Sequence, residues 1–143
     1  MDFTLSNEQK MIIDTTRSFV EQELYPYEAE VEKNNHIDSN LIKKIKQKSK
    51  ELGLYAANMP EQYGGGGLDA LTLCLLEKEL GKANFGLQYI VARPSNILMA
   101  CKDEQVEKYL LSTIRGEKVD CLAMTEPNAG SDVRSMQCRA ERD

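Results

Sequence analysis

The stretch Cys121-Leu122-Ala123-Met124-Thr125-Glu126-Pro127-Asn128-Ala129-Gly130-Ser131-Asp132-Val133 decides how this chain is read. Leu122 to Met124 make an apolar run of strand character that feeds Thr125 and Glu126. Pro127 has no N–H and stops the pairing, and Asn128, Gly130 and Ser131 build a tight polar turn. Such a turn offers unpaired backbone N–H groups and hydroxyls to an anionic or carbonyl-rich ligand. Taken alone, the same residues also suit an ordinary strand that ends in a Pro-Asn-Gly turn.

Upstream of this stretch the hydrophobic period is helical. Ser6 and Gln9 form a capping box, and Met11, Ile12, Phe19, Val20 and Leu24 recur at helical spacing, which predicts a helix over about 7–24, halted at Pro26 and resuming through Glu32. Asp38 or Ser39 caps a second helix running to Leu52, with Gly53 as its left-handed stop. Asp69 caps a third over 70–83, whose Leu71, Leu73, Cys74, Leu75, Leu76 and Leu80 predict burial on several sides. A nearly all-round apolar helix follows over Phe85 to Cys101, kinked at Pro94. Asp103 is expected to cap a fifth from Glu104 to Arg115. After Gly116 the period changes, and Val119–Met124 and Met136–Ala140 read as strands. This places a boundary near residue 118: a helical domain over 1–118, then the start of a second domain over 119–143. Two strands cannot bury a face of their own, so the second unit is incomplete as it stands.

Composition narrows the function classes. With 143 residues, 41% hydrophobic and 29% charged, the chain has the makeup of a globular protein. A net charge of -5 argues against nucleic acid as the main partner. The one basic cluster, Lys43, Lys44, Lys46, Lys48 and Lys50, alternates with Leu41, Ile42, Ile45 and Leu52 as the solvated face of an amphipathic helix. No apolar run approaches the roughly 20 residues that span a bilayer, so no membrane partner is expected. The first residues do not read as a secretory signal or a transit peptide, which makes a cytoplasmic location the expectation. Cys74, Cys101, Cys121 and Cys138 show no Cys-x-x-Cys spacing and predict neither zinc nor redox chemistry; they read as small buried hydrophobes or incidental thiols. His36, the sole histidine, lies in a polar stretch and carries no ligand role. Gly65-Gly66-Gly67-Leu68-Asp69-Ala70 formally fits a dinucleotide fingerprint, yet no strand leads into it, and it reads as a flexible helix-to-helix loop.

The run Thr125-Glu126-Pro127 followed by Gly130-Ser131-Asp132 resembles the signature of the acyl-CoA dehydrogenase family. The family's opening Phe-x-Leu-x-x-Glu-Gln phrase is matched by Phe3, Leu5, Glu8 and Gln9. Its Leu-Gly-Leu and Pro-Glu-x-Tyr-Gly-Gly-x-Gly phrases are matched by Leu52, Gly53, Leu54 and by Pro60, Glu61, Tyr63, Gly64, Gly65, Gly67. The resemblance runs from Phe3 to Asp143. It implies a mainly α fold: the family's all-helical N-terminal domain, followed by the first strands of a middle β-barrel domain.

The resemblance also implies chemistry. The family binds FAD, and the matching positions Leu122, Ala123, Met124, Thr125, Gly130 and Ser131 would border the flavin, with Ser131 also contacting the acyl-CoA substrate. Full-length members oxidise acyl-CoA to 2,3-enoyl-CoA, pass electrons to an electron-transfer flavoprotein and form homodimers or homotetramers. Glu126 is implied to be structural. The family's base is a glutamate of a later helical bundle, and neither it nor the Gly-x-Lys-x-x-Ile phrase that covers the flavin is found here, so no catalytic residue is assigned. The sequence departs from the pattern at Cys138, where a Thr is usual, and at Leu122, where some members carry an aromatic residue. Two other readings remain open: an oxygen-using flavoenzyme of the same fold, an oxidase or monooxygenase, and a non-catalytic truncated helical module that binds a partner.

Overall fold

The computed structural model describes residues 4–91 and 94–141. Phe3 of the opening phrase, and Arg142 and Asp143, lie outside the described residues. α1 (Asn7–Phe19) starts at the expected capping box: the Ser6 hydroxyl accepts the Gln9 N–H at 3.1 Å, and the Gln9 side chain accepts the Ser6 N–H at 3.1 Å. The helix does not stop at Pro26. One π-helical turn, Val20–Leu24, hands the chain directly to α2 (Tyr25–Asn34). A proline inside a helix lacks its own donor and crowds the carbonyl four residues back. The wider turn, closed by Tyr25 N–H on the Val20 carbonyl, shifts the register so that Pro26 falls in the first turn of α2.

α3 (Ser39–Glu51) is capped by Asp38, whose carboxylate accepts the Asn40 and Leu41 N–H groups, and Gly53 at φ 69 ends it as expected. α4 (Ala70–Leu80) is capped by Asp69 in the same way. α5 (Phe85–Val91) is shorter than expected. A 3₁₀ segment over Asn96–Ala100, capped by Ser95, takes the place of its second half, beyond Pro94. The last helical stretch is a π-helical turn, Val106–Leu111, running into α6 (Ser112–Ile114). Asp103 does not cap it: its backbone is left-handed at φ 49, and the Gln105 side chain accepts the Lys102 N–H instead.

α1 packs on α4, and α3 on α5. Between them lies a core that includes Phe19, Val20, Leu24, Ile45, Leu76, Leu80, Leu87 and Val91. Each such side chain contributes about 1.5–3 kcal/mol by leaving water. A smaller cluster of Ala56, Met59, Leu110 and Ile114 joins the 54–59 segment to the last helix. α4 departs from the expectation of burial on several sides, because Leu71 is 56% exposed and Cys74 is exposed.

The glycine run is packed, not loose. Gly66, Gly67 and Leu68 donate to the carbonyls of Ala56, Met59 and Ala57, and a Cβ on Gly65 would lie 2.2 Å from the Met59 carbonyl oxygen. The run therefore clips residues 64–68 onto 56–59, which gives the four glycines a structural reason and not a nucleotide-binding one.

Candidate functional site

The chain leaves the helical body at Gly116 (φ 74), after Ser112 has accepted the Glu117 N–H at 2.9 Å. Asp120 then anchors it: its carboxylate accepts the Ser95 N–H at 3.1 Å, across 25 residues. Tyr55 braces the same corner by donating its hydroxyl to the Thr113 carbonyl at 3.0 Å. Burial, then the nearby Asp120 charge, pushes the Tyr55 hydroxyl above its ordinary pKa, so it stays a donor. Between this corner and the end of α5 opens a cavity of about 590 Å³. Tyr89, Ile90, Pro94, Val119 and Leu122 form its apolar wall, and Lys46, Glu77 and Asp120 its charged one.

Beyond the cavity comes the turn. Glu126 and Ala129 exchange both backbone hydrogen bonds, at 3.0 and 3.1 Å, with Pro127 and Asn128 at the corner. Pro127 sits where a turn needs no donor and prefers a fixed φ. Among the described residues this is the only β-bridge after residue 118; the strands expected at Val119–Met124 and Met136–Ala140 do not form. Extended segments of this length hold as strands only when neighbours satisfy their outer edges. After the turn, Asp132 caps one 3₁₀ turn, Val133–Ser135. The Ser135 hydroxyl donates to the Asp132 carbonyl at 2.8 Å.

Leu122, Ala123, Met124 and Thr125 lie on the arm before the bridge, Gly130 and Ser131 on the arm after it, and all six are exposed. In register, Thr125 and Gly130 are the first positions outward from the bridge. The Thr125 and Ser131 side chains make no hydrogen bond to a described residue. Gly130 does not take a left-handed φ, and a Cβ on it would meet nothing within 4 Å. Nothing in the packing of the described residues asks for glycine there, so the bare backbone and the two free hydroxyls fit a flat, carbonyl-rich group laid against this edge.

Sequence reasoning did not single out Tyr55 or Asp120 and read Lys46 only as part of a solvated basic face; the three meet only through the fold. Nor did it find the partners of Glu126: its Oε2 accepts the Gln137 N–H at 2.8 Å and its Oε1 the Cys138 N–H at 2.9 Å. Cys138 joins the site through its backbone, so replacing the usual Thr leaves that contact intact. Cys74, Cys121 and Cys138 are exposed free thiols, so of the two expected readings, small buried hydrophobes or incidental thiols, they take the second. Among the described residues no three His, Cys, Asp or Glu side chains converge as a metal set, and no helix is long and apolar enough to cross a membrane.

The family model described as "Acyl-CoA dehydrogenase, N-terminal domain" matches residues 6–117. A probable acyl-CoA dehydrogenase of Bacillus subtilis is 39% identical over 138 residues, covering 92% of this chain and 22% of that protein. An acyl-CoA dehydrogenase from Bacillus anthracis, solved in complex with FAD, superposes with a TM-score of 0.73 at 31% identity, covering 92% of this chain and 23% of the other. A chain from a structural study of the electron transferring flavoprotein of Acidaminococcus fermentans superposes with a TM-score of 0.75 at 34% identity, covering 96% and 36%. The chain thus spans well under half the length of the proteins it resembles.

Proposed function

The chain belongs to the acyl-CoA dehydrogenase family, and from that premise we propose that it is the front portion of a FAD-dependent enzyme that oxidises acyl-CoA to 2,3-enoyl-CoA. The observation that carries this reading is the exposed edge of the turn, where Thr125 and Ser131 keep free hydroxyls beside a glycine that the fold does not require. FAD bound there would supply a two-electron hydride acceptor. Leu122, Ala123, Met124 and Thr125 would line its ring on one arm, and Gly130 and Ser131 on the other. The Thr125 hydroxyl and neighbouring amides would then be donors at the flavin's pyrimidine edge and offset negative charge arriving there. Ser131 would also contact the acyl-CoA, and the cavity beside Leu122 offers an apolar wall to the acyl chain.

Glu126 is not the base in this reading, because both its carboxylate oxygens already accept backbone N–H groups. Removal of the proton next to the thioester carbonyl falls to a group outside the described residues. Residues 119–143 are read as the opening of a second, β domain, which agrees with a family match ending at residue 117 and with the change of backbone after Gly116. An electron-transfer flavoprotein as acceptor, a homodimer or homotetramer, and a cytoplasmic location complete the proposal.

The test uses the protein as its gene encodes it. It is expected to retain FAD through purification, and its flavin absorbance should bleach anaerobically on addition of an acyl-CoA. A folded protein that takes up no flavin and shows no bleaching with short, long or branched acyl-CoAs would overturn the proposal.

A further inference from the structure

Within residues 121–131, Ala129 is buried and Glu126 half-buried, while their neighbours are exposed. The Glu126 carboxylate is also bound at both oxygens by consecutive backbone amides 11 and 12 residues downstream, at 2.8 and 2.9 Å. A hairpin of ordinary construction would hold these arms by a ladder of backbone pairs. Here the ladder is one bridge long, and the 3₁₀ turn at Val133–Ser135 interrupts what would follow it. A side chain replaces the missing rungs.

We propose that Glu126 is the positioning residue of the turn: its carboxylate clamps the Gln137 and Cys138 amides, holding both arms in place so that Thr125, Gly130 and Ser131 present one edge. The inference rests on the flavin reading for what that edge receives, but the clamp itself is a property of this chain. Hydrogen bonds to a carboxylate are about twice as strong as neutral ones, and two of them aimed at adjacent amides fix direction as well as distance. The Ser135 hydroxyl, 3.4 Å from the Asn128 carbonyl, ties the returning arm to the corner from the other side.

The chemistry of the clamp calls for a carboxylate of this length. A glutamine in its place has the same reach but one acceptor oxygen, and its NH₂ would face an N–H donor. An aspartate keeps both acceptors but is one methylene short.

Hydrogen exchange on the chain without flavin tests the clamp directly. The Gln137 and Cys138 amides are expected to be protected in the wild type, and to exchange about tenfold faster in E126Q, the effect of losing one such hydrogen bond. E126D should lie between the two. The melting temperature of the helical domain should not move, since Glu126 touches none of its core. In the protein as encoded, E126Q should weaken FAD binding about tenfold and shift the absorption band of the flavin that remains, with E126D partly restoring both. Exchange at Gln137 and Cys138 that is fast in the wild type, or unchanged by E126Q, overturns the clamp even if flavin binds. A protected pair that E126Q releases, in a wild type that binds no FAD, leaves the clamp standing and overturns the flavin reading alone.

Discussion

The Arg17 Nε lies 3.2 Å from a Glu79 carboxylate oxygen that is 62 residues away in sequence, and this pair staples α1 to α4. Glu79 is 4% exposed, and the oxygen that meets Arg17 Nε also accepts from Lys82. Both cations keep about half their surface in water, so the carboxylate is paired without stranding a buried positive charge.

The pairing makes acid stability predictable. Lys82 first, then Arg17, hold the Glu79 carboxyl below its ordinary value of 4.5, despite burial; Lys48, then Lys44, do the same for Glu23. A depressed folded pKa contributes stability that is full above the unfolded value and is lost as pH falls through the folded one. The melting temperature should therefore be level from pH 7 to about pH 5 and fall below that. In E79Q the fall should be shallower and the melting temperature at pH 7 lower, from the loss of about 1–3 kcal/mol of charged hydrogen bonding. Circular dichroism melts across pH would check both, and a wild-type profile that is flat down to pH 3 would contradict the argument.

Two glycines should respond in opposite ways to the same substitution. Gly65→Ala places a methyl 2.2 Å from the Met59 carbonyl oxygen and must push two backbone segments apart, costing about 1–3 kcal/mol. Gly130→Ala meets nothing and requires no unusual φ, so it should change stability by less than about 0.5 kcal/mol. If a flavin lies against that edge, Gly130→Ala should still weaken its binding. Denaturant titration and FAD titration of the two variants separate these outcomes. An equal stability loss in both would mean that the turn is packed in a way the chain's own contacts do not reveal.

The helices were legible because their ends are local events. The side chains of Ser6, Asp38 and Asp69 cap by accepting backbone N–H groups two or three residues on, and Gly53 stops α3 by its own φ. Pro26 misled because a π turn can absorb a proline, and that adjustment lies in the backbone and not in residue type. The exposed face of α4 could not be foreseen, since an apolar stripe states what would prefer burial and not whether a covering element is at hand. At the site, the motif named Thr125, Gly130 and Ser131 as flavin-bordering positions, and the fold leaves all three exposed, but the partners of Glu126 arrive only after the 3₁₀ turn reverses the chain. Strand propensity at Val119–Met124 reported a willingness to pair that nothing among the described residues meets.

Asp120 should act as the tether between the helical body and the arm that carries Leu122. Its carboxylate accepts the Ser95 N–H at 3.1 Å, and Ser95 itself caps the Asn96–Ala100 segment. Asp120→Ala should leave the core intact and release this corner. The expected result is faster hydrogen exchange at Ser95, at about 1–2 kcal/mol of lost local protection, with a melting temperature close to wild type. An unchanged rate at Ser95 would show that the corner is held by other contacts, such as the Tyr55 hydroxyl.

α5 offers the sharpest contrast between packing and exposure on one short helix. Leu87 and Val91 are 0% and 1% exposed, whereas Phe85 and Tyr89, two residues earlier in each case, are 75% and 51% exposed, with ring centroids 6.0 Å apart. Leu87→Ala should cost about 2–5 kcal/mol, because it opens a void within the main core cluster that cannot collapse fully. Phe85→Ser removes a larger side chain and should cost under about 0.5 kcal/mol, since little of the ring leaves water on folding. Its effect should appear elsewhere. Together with Leu71 and Ile97, 56% and 67% exposed, Phe85 gives the chain apolar surface that water disfavours and another copy can cover. Sedimentation velocity on the chain should show concentration-dependent association that the paired variant Phe85→Ser with Leu71→Ser reduces, while the melting temperature stays near wild type. A monomer at every concentration in the wild type would mean that these side chains are too scattered to drive contact.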